Sequence, residues 1–485
     1  MMQKLSIERI SLIIVFAMIL IIALRVPTDT DTWWHIRSGE YTLDNGIIST
    51  DPFSHTFADE TWINHSWGSQ IVMAGVWNIG GNIGLSLYTA LLAVAGMSLL
   101  YQISAGNTYL KAFVLVLGAI TAAIFWSARP QMLSFFFSTV ILWLVYRYKR
   151  QDIDWLWGII PLMWLWSNLH AGWSIGYLFL IAFIVGEAFN NILGIDDNTL
   201  SWAGWRKLVL ATVISIPFLA LSPYLLDNML VPFNTVNIEP LREFIQEWQS
   251  PNFQSRGTWA FIAMIMLLFM ALWTSKLKFD WSSFFLLIGT LFLALLYSRN
   301  IAVFAVVATP ILTYHLDNAL TERNIILRPR RTVPRPIALI NLGLVIVVLL
   351  GVGVYTLGIL NPENIGEEQA KTLPTLAVSY LNENDIPTPI FNSYNWGGYL
   401  IFEAPDYPVF VDGRTDLYGT FVIDYDAIYM NYNNQALTEL DMRGINSVLV
   451  EVYAPINGAL EASDNWNLEY NDALAMIWVR SENNE

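Results

Sequence analysis

A group of acidic, aromatic and histidine side chains follows closely on the first apolar segment of the chain. It begins with Asp29-Thr30-Asp31 and continues through Trp33, Trp34 and His35. A carboxylate in such a group can take a proton from an acceptor hydroxyl, or it can hold a divalent metal such as Mg²⁺ or Mn²⁺ that neutralises a phosphate leaving group. We therefore predict Asp31 as a general base or as a metal ligand. Asp29 and His35 are predicted in supporting catalytic roles, and Asp29 also as a second metal ligand.

A second set of polar residues interrupts or ends the apolar stretches further along the chain. Arginine binds phosphate and diphosphate through its planar fork of N–H groups. A Trp can stack on a sugar, although Trp beside an apolar run is also typical of the membrane interface. Single residues of this kind can snorkel into water, but the whole set favours a shared polar cavity. The predicted substrate-binding residues are Arg129, His170, Arg242, Glu243, Arg299, Asn300, Trp33, Trp34 and His65.

The composition that must position these residues is that of a polytopic membrane protein. Of the 485 residues, 55% are hydrophobic and 13% are charged, which is too apolar for a soluble chain of this size. The chain has no Cys. Disulfides, thiolate catalysis and Cys-based metal or haem sites are therefore excluded.

Charge is divided unequally along the chain. Residues 361–485 carry 20 acidic and 4 basic side chains, a balance of −16, whereas residues 1–360 have a balance of +1. This predicts a transmembrane domain over 1–360 and an acidic α/β domain over 361–485. Such acidity argues against nucleic-acid binding. It serves solubility, or it offers a docking surface to a protein partner.

Eleven apolar stretches are long enough to cross a bilayer. The segment 67–80 is shorter and amphipathic, which indicates an interfacial or re-entrant helix. The tight pair of fifth and sixth stretches predicts a helical hairpin broken at His170-Ala171-Gly172. The predicted spans are 9–26, 83–104, 109–127, 131–147, 155–169, 172–192, 207–226, 257–275, 280–298, 300–316 and 337–360.

Basic residues in the short loops predict the orientation. Fifteen Lys and Arg fall on the side of the N-terminus and six on the opposite side of the membrane body, which places the N-terminus in the cytoplasm. An odd number of spans then places residues 361–485 outside. The expected location is the cytoplasmic (inner) membrane of a prokaryote, with external loops at 27–82 and 227–256.

The C-terminal segment shows mixed α/β patterning. A helix is predicted over 370–382, and short buried strands are predicted over 389–392, 407–411, 447–452 and 473–479. The turn Val411-Asp412-Gly413-Arg414-Thr415-Asp416 has two interpretations. It faces a substrate, or it is a structural turn capped by Asp, and we favour the structural interpretation.

The first external loop resembles that of the GT-C superfamily of membrane glycosyltransferases. The run Asp31-Thr32-Trp33-Trp34-His35-Ile36-Arg37 is similar to the Asp-x-aromatic-aromatic-His-x-Arg stretch of archaeal oligosaccharyltransferase catalytic subunits. The later stretch 51–67 looks like a group of uncharacterised bacterial GT-C-like proteins. The resemblance implies inverting transfer of a sugar from a polyprenyl-phosphate or polyprenyl-diphosphate carrier to an acceptor outside, with Asp31 in the place of the catalytic or metal-binding Asp.

Two departures from that family pattern bear on the expectation. The second acidic motif of oligosaccharyltransferases has no counterpart near Arg129-Pro130-Gln131. Their C-terminal Trp-Trp-Asp-Tyr-Gly signature is echoed by Tyr394-Asn395-Trp396-Gly397-Gly398-Tyr399, which lacks the Asp. Recognition of an Asn-x-Ser/Thr acceptor is therefore not implied.

Two other functions remain open from the sequence. The missing second acidic motif is compatible with a non-catalytic GT-C-like subunit that acts as a scaffold or assembly partner. The third interpretation is a transporter of a lipid-linked or anionic substrate. It ranks last because no pair of broken helices near the middle of the membrane is visible.

Overall fold

The computed structural model describes residues 6–151, 153–194, 199–238, 245–278, 280–325 and 334–481. Two compact units emerge from its internal contacts. The first comprises Met1–Arg25, Ser86–Met229 and Ile245–Ile359, and the second comprises Val26–Leu85, Leu230–Phe244 and Leu360–Glu485. The first external loop and the C-terminal segment therefore fold together in one unit.

The described chain is mainly helical. The helices are α1 (Ile7–Ala23), α2 (Asp31–Asn45), α3 (Trp67–Ile103), α4 (Thr108–Ala122), α5 (Gln131–Gln151), α6 (Ile159–Leu169), α7 (Trp173–Leu193), α8 (Trp202–Phe218), α9 (Asp227–Val236), α10 (Trp259–Thr274), α11 (Trp281–Leu296), α12 (Ile301–Glu322), α13 (Arg335–Ile359), α14 (Pro362–Gln369), α15 (Thr375–Glu383), α16 (Gly397–Glu403), α17 (Thr415–Tyr418), α18 (Phe421–Tyr429), α19 (Asn434–Met442) and α20 (Ile456–Glu461).

Each of the eleven predicted spans falls on a helix of the structure. Among the described residues, six helical segments are long and apolar enough to cross a membrane: Trp67–Ile103, Thr108–Phe125, Trp173–Leu193, Arg256–Thr274, Ser298–Glu322 and Pro336–Ile359. The apolar helices Leu156–Leu169 and Trp281–Leu296 are shorter. Membrane-protein character is therefore supported, while the count of eleven spans stays a prediction.

Small residues allow close helix contacts in the first unit. A Cβ on Gly118 of α4 would stand 2.3 Å from Thr309 Oγ1 of α12, and one on Gly186 of α7 would stand 2.3 Å from Ser282 Cα of α11. Such small-residue contacts let helix backbones approach each other in apolar surroundings. Packing of this kind holds together the helices whose ends carry the polar residues.

Predicted breaks in the helices lie close to observed ones. The long helix α3 contains a kink at Gly81, whose φ of 52° is a left-handed value that favours glycine. This kink separates the predicted interfacial segment 67–80 from the predicted span that follows it. Helix α6 ends at Leu169 and α7 begins at Trp173, which leaves His170-Ala171-Gly172 as the hairpin turn.

The second unit contains one four-stranded sheet in the order β1-β2-β4-β3. Its strands are β1 (Ile390–Asn392), β2 (Ser447–Glu451), β3 (Trp466–Asn471) and β4 (Ala475–Arg480). Strands β1 and β2 are parallel, with Phe391 opposite Val448. The other two pairs are antiparallel. Buried apolar residues of β1, β2 and α18–α20 form the core beneath the sheet.

One strand prediction was wrong, and one strand was missed. Residues 407–411 form an isolated bridge between Val409 and Ser54 rather than a strand of the sheet, because Val409 exchanges backbone hydrogen bonds with the first loop: its N–H donates to the Phe53 carbonyl and its carbonyl accepts from the His55 N–H. Strand β3 was not predicted, because it is a mostly exposed edge strand with polar residues. The helix predicted over 370–382 starts later, at Thr375.

Candidate active site

The Asp31 carboxylate lies at the start of helix α2, in the second unit. Thr30 is the N-cap residue of the helix, so Asp31 stands in its first turn, where the positive end of the helix dipole stabilises negative charge. The Asp31 backbone N–H donates to Asp29 Oδ1 over 3.1 Å, and the Trp34 indole N–H donates to Asp31 Oδ1 over 3.2 Å. The residue is partly exposed. Asp31 is therefore a partly exposed residue whose carboxylate is oriented by hydrogen bonds.

Two glycines of the C-terminal segment lie against this carboxylate and its helix. A Cβ on Gly413 would stand 1.9 Å from Asp31 Oδ1, and one on Gly398 would stand 2.5 Å from the Thr30 carbonyl oxygen. Neither position accepts a side chain unless the start of α2 moves. The Val411–Asp416 turn, whose role the sequence left open, thus lies directly beside Asp31.

Arg414, which follows Gly413, is fully buried and bridges two carboxylates. Its Nη1 donates to Asp51 Oδ1 over 2.5 Å, and its Nε and Nη2 donate to Asp412 Oδ1 and Oδ2 over 2.8 and 2.6 Å. The Tyr418 hydroxyl donates to Asp412 Oδ2 over 2.7 Å. Burial would lower the pKa of Arg414, but Asp412 and the other partners raise it above its ordinary value. The guanidinium therefore stays charged and fixes both carboxylates.

Asp51 in turn organises the first loop. Its carboxylate accepts from the backbone N–H groups of Phe53 and Ser54 over 3.1 and 3.2 Å, and from the Ser54 hydroxyl over 2.5 Å. The Arg414 guanidinium carbon lies 5.2 Å from the ring centre of Phe53 and 4.8 Å from that of Trp62. Charge and aromatic packing therefore tie this loop to the turn that contacts Asp31.

His35 is buried and held by an amide. Gln70 Nε2 lies 3.2 Å from His35 Nδ1, and Gln70 exchanges two further hydrogen bonds of 2.6 and 2.7 Å with Asn64. Because Gln70 Nε2 is a donor, His35 Nδ1 accepts and the ring proton is assigned to Nε2. His35 therefore belongs to the packed interior behind the start of α2.

His65 lies near the carboxylate of Asp416 in the same unit. Its Nδ1 is 3.7 Å from Asp416 Oδ2, and the Trp62 indole N–H donates to the same oxygen over 3.2 Å. Asp416 ends the turn that contains Gly413. The turn therefore lies beside both predicted residues: Asp416 is near His65, and Gly413 lies against Asp31.

Trp33 and Trp34 are packed inside the unit. Trp33 is 1% exposed and Trp34 is 6% exposed. The Trp33 ring has its centre 5.3 to 5.6 Å from those of Trp77, Tyr399 and Phe402. Sugar stacking on these two rings stays a prediction, since in this structure they pack edge-on or tilted against protein side chains.

In the first unit, Arg129 and Arg299 meet at one carboxylate. Arg129 Nη1 lies 3.6 Å from Glu247 Oε2, and Arg299 Nη1 lies 3.5 Å from Glu247 Oε1. Trp248 stacks on this group, with the Arg299 guanidinium carbon 4.5 Å from its ring centre. The structure therefore brings together the two arginines that the sequence assigned to phosphate binding.

The charge state of Glu247 follows from these neighbours. Burial would raise the pKa of Glu247, but the charges of Arg129 and Arg299 outweigh it and hold the pKa below its ordinary value. The carboxylate is therefore ionised between the two guanidinium groups.

His170 closes the hairpin between α6 and α7. Its Nδ1 accepts from the Gly172 backbone N–H over 3.0 Å and lies 2.7 Å from Ser134 Oγ. The Trp166 indole N–H donates to the same hydroxyl over 2.7 Å. Because Nδ1 accepts from a backbone N–H, the ring proton is assigned to Nε2. These contacts give His170 a structural role in the turn, and contact with substrate stays a prediction.

Three other residues were predicted to bind substrate: Arg242, Glu243 and Asn300. Arg242 and Glu243 lie outside the described residues. Asn300 is the last residue of the short 3₁₀ segment Ser298–Asn300, which leads into α12. Its backbone N–H donates to the Tyr297 carbonyl over 2.9 Å.

Few protein side chains could coordinate a metal ion at Asp29 and Asp31. In the described part of the chain, no group of three or more His, Asp or Glu side chains is arranged to hold a metal ion. Asp29 Oδ1 already accepts from the Asp31 N–H. Mg²⁺ is often held by one or two carboxylates with substrate phosphates, so Mg²⁺ or Mn²⁺ here stays a prediction.

The residues of this geometry that were missing from the predicted site include Glu247, Asp51, Asp412, Gly413 and Arg414. Glu247 lies in the predicted external loop 227–256, and Asp412, Gly413 and Arg414 lie in the 411–416 turn, but nothing local in the sequence connects them with Arg129 or Asp31. A charged pair within a turn after the predicted strand 407–411 was the one available signal for Arg414.

Comparisons with known proteins found structural likeness only. No family model matches the chain, and no curated protein matches it in sequence. The structure of ArnT from Cupriavidus metallidurans in the apo state has a TM-score of 0.55 at 14% identity, covering 95% of each chain. The same protein bound to undecaprenyl phosphate has a TM-score of 0.50 at 14% identity, covering 98% of this chain and 97% of that one.

A third similar structure is the archaeal oligosaccharyltransferase AglB from Archaeoglobus fulgidus, in complex with an inhibitory peptide and a dolichol-phosphate. Its TM-score is 0.58 at 11% identity, covering 91% of this chain and 69% of that chain. Identities this low establish the fold and nothing finer. The chain therefore has the fold of the GT-C glycosyltransferases, as its first external loop predicted.

Proposed function

We propose that this protein is a GT-C-type glycosyltransferase that moves a sugar from a polyprenyl-phosphate or polyprenyl-diphosphate carrier to an acceptor on the outer face of a prokaryotic inner membrane. One observation carries the proposal. Asp31 is a partly exposed, oriented carboxylate at a helix start, in a chain with the GT-C fold. The carriers bound to ArnT and AglB, undecaprenyl phosphate and dolichol-phosphate, support a lipid phosphate as the leaving group.

Asp31 is assigned the role of general base. Its carboxylate accepts the proton of the acceptor hydroxyl as that oxygen attacks the anomeric carbon of the sugar. The bond between this carbon and the carrier phosphate oxygen breaks, and its electron pair stays on the phosphate. Attack opposite the leaving group inverts the anomeric configuration. The contact from the Trp34 indole to Asp31 Oδ1 orients the carboxylate for this step.

Arg129 and Arg299 are assigned to the carrier phosphate. Each precedes a helix: α5 begins at Gln131 and α12 begins at Ile301. The positive end of a helix adds to the attraction of an anion. Guanidinium groups stabilise the charge that develops on the leaving phosphate more strongly than water does, because they are already oriented.

The test compares Asp31→Asn with the wild-type protein in lipid nanodiscs, using a panel of polyprenyl-phosphate and polyprenyl-diphosphate sugars with and without Mg²⁺ or Mn²⁺. Asp44→Asn is the matched control, since Asp44 is an exposed residue of the same helix α2. We expect transfer by the wild type and the control and a loss of about 10²- to 10⁴-fold in Asp31→Asn, the usual contribution of a general base.

Other outcomes separate the alternatives. Equal turnover in wild type and Asp31→Asn rejects the base assignment. Loss of turnover on chelation favours the metal-ligand role. No turnover with any carrier, together with a fixed protein partner on purification, favours the scaffold interpretation with residues 361–485 as the docking surface. Carrier-dependent uptake into vesicles favours the transporter.

A further inference from the structure

Glu247 occupies the position between Arg129 and Arg299 that an anionic ligand would take. Each arginine contacts a different carboxylate oxygen, over 3.6 and 3.5 Å. These distances are long for charged hydrogen bonds, which are typically about 2.7–2.9 Å. The three side chains are partly buried, with 19 to 27% of the surface of each exposed to solvent. The group is therefore partly accessible to solvent, and its two ion pairs are longer than charged hydrogen bonds.

The segment that carries Glu247 is fastened to the segment that carries Arg299. The Ser298 N–H donates to the Gln249 carbonyl over 2.9 Å, and the Ser298 hydroxyl donates to the Glu247 carbonyl over 3.2 Å. Trp248 lies against both Arg299 and Tyr297. The backbone of Glu247 is thus held in place, and rotation of its side chain is the small change that would withdraw its carboxylate from both arginines.

We propose that Glu247 is a built-in competitor that sets the affinity of this protein for the phosphate of its lipid carrier. The proposal rests on the proposed function, because it takes the carrier phosphate as the ligand of Arg129 and Arg299. A carboxylate between two arginines keeps them oriented while the ligand is absent. It also lowers the affinity for the released polyprenyl phosphate, since that anion must displace Glu247 from both contacts.

The charge of Glu247 would therefore weaken carrier binding and speed carrier release at the same time. Removing the charge of Glu247 removes a like charge from the anion site, so phosphate binding becomes tighter. Release of the spent carrier then becomes slower. Because binding that stabilises substrate and product alike does not speed the chemical step, Glu247→Gln is expected to bind tighter and turn over more slowly.

The experiment measures binding of undecaprenyl phosphate to full-length protein in nanodiscs. Glu247→Gln is expected to bind about five- to tenfold more tightly than wild type, the effect of one partly screened charge. Glu247→Asp keeps the charge and is expected to bind like wild type. Arg129→Gln and Arg299→Gln are each expected to bind at least about tenfold more weakly.

Glu322→Gln is the matched control. It removes one carboxylate from an exposed ion pair with Lys276, at the far end of α12 from Arg299 and roughly 30 Å away for a helix of this length. Thermal unfolding of each variant checks that it is folded. Equal or weaker binding by a folded Glu247→Gln overturns the proposal, as does a gain that Glu322→Gln shares.

Two further arms identify the source of the phosphate. Inorganic diphosphate and vesicles enriched in phosphatidylglycerol replace the carrier. A gain confined to undecaprenyl phosphate and diphosphate supports the proposal, whereas an equal gain for phosphatidylglycerol overturns it in favour of a general lipid-headgroup contact. If the protein transfers sugar but Glu247→Gln binds the carrier no more tightly than wild type does, only this inference is rejected. Tighter binding without transfer from any carrier rejects the proposed function alone.

Discussion

Arg414 Nη1 lies 2.5 Å from Asp51 Oδ1, and neither side chain is exposed to solvent. The two residues are 363 positions apart in the chain. Asp51 belongs to the first loop, and Arg414 follows the glycine that contacts Asp31. The same guanidinium holds Asp412 through two more hydrogen bonds. One buried cation therefore fixes the loop and the turn on which the position of Asp31 depends.

Arg414→Gln is expected to destabilise the second unit by about 3 to 5 kcal/mol, because two buried carboxylates lose their partner. Lys371→Gln is the control: its ion pair with Glu368 is largely exposed, so a loss of less than about 1 kcal/mol is expected. Thermal unfolding in detergent, followed by near-ultraviolet circular dichroism, measures both. Similar melting temperatures for the two variants would contradict a stabilising role for the buried pair.

Gly413→Ala is expected to lower kcat for sugar transfer at least about 100-fold, because a methyl group at this position forces Asp31 to move by an ångström or more. The KM for the carrier should change little, since Arg129 and Arg299 are untouched. Gly366→Ala on α14, where nothing lies within 4 Å of the new methyl group, should keep the wild-type kcat. A wild-type kcat in folded Gly413→Ala would show that the fit between Gly413 and Asp31 does not matter for the reaction.

Hydropathy predicted most of the helical framework because an apolar stretch in a membrane has few structural options. The buried strands over 389–392, 447–452 and 473–479 were equally visible, since they are nearly uninterrupted apolar runs. Strand β3 was not predicted. Its residues Trp466, Leu468 and Tyr470 alternate with polar ones over only six positions, and most of the strand is exposed, so it forms no uninterrupted apolar run.

The candidate site was only partly predictable. The motif from Asp31 to Arg37 is local and pointed to the GT-C fold, which the structure bears out. The contacts around it are not local. Gly413 contacts Asp31, and Glu247 contacts both arginines. These residues are far apart in the sequence, so no short motif contains both partners. Trp33 also illustrates a limit, because an aromatic residue predicted to meet a sugar and one buried in the core look the same in sequence.

The stability contributed by Glu247 should persist into acid. Its pKa lies below the ordinary glutamate value in the folded protein, so its contribution is fully present above the ordinary value and is lost as pH falls through the lowered one. The difference in melting temperature between wild type and Glu247→Gln, without carrier, should therefore be constant from pH 7 to pH 5. It should shrink only below the ordinary range of glutamate, about pH 4. A difference that disappears between pH 7 and pH 5 would show that the two arginines do not hold the charge.

Membrane orientation can be tested directly because the chain has no Cys, so a single introduced thiol reports one position. Tyr432→Cys replaces a residue of the second unit that is 74% exposed. Lys276→Cys replaces a side chain that is also 74% exposed, in a loop predicted to be cytoplasmic. A membrane-impermeant maleimide added to intact cells should label Tyr432→Cys and should label Lys276→Cys only after permeabilisation. Labelling of Lys276→Cys in intact cells would contradict the eleven-span topology. Labelling of Tyr432→Cys only after permeabilisation would contradict an external site for Asp31, since both residues belong to the second unit.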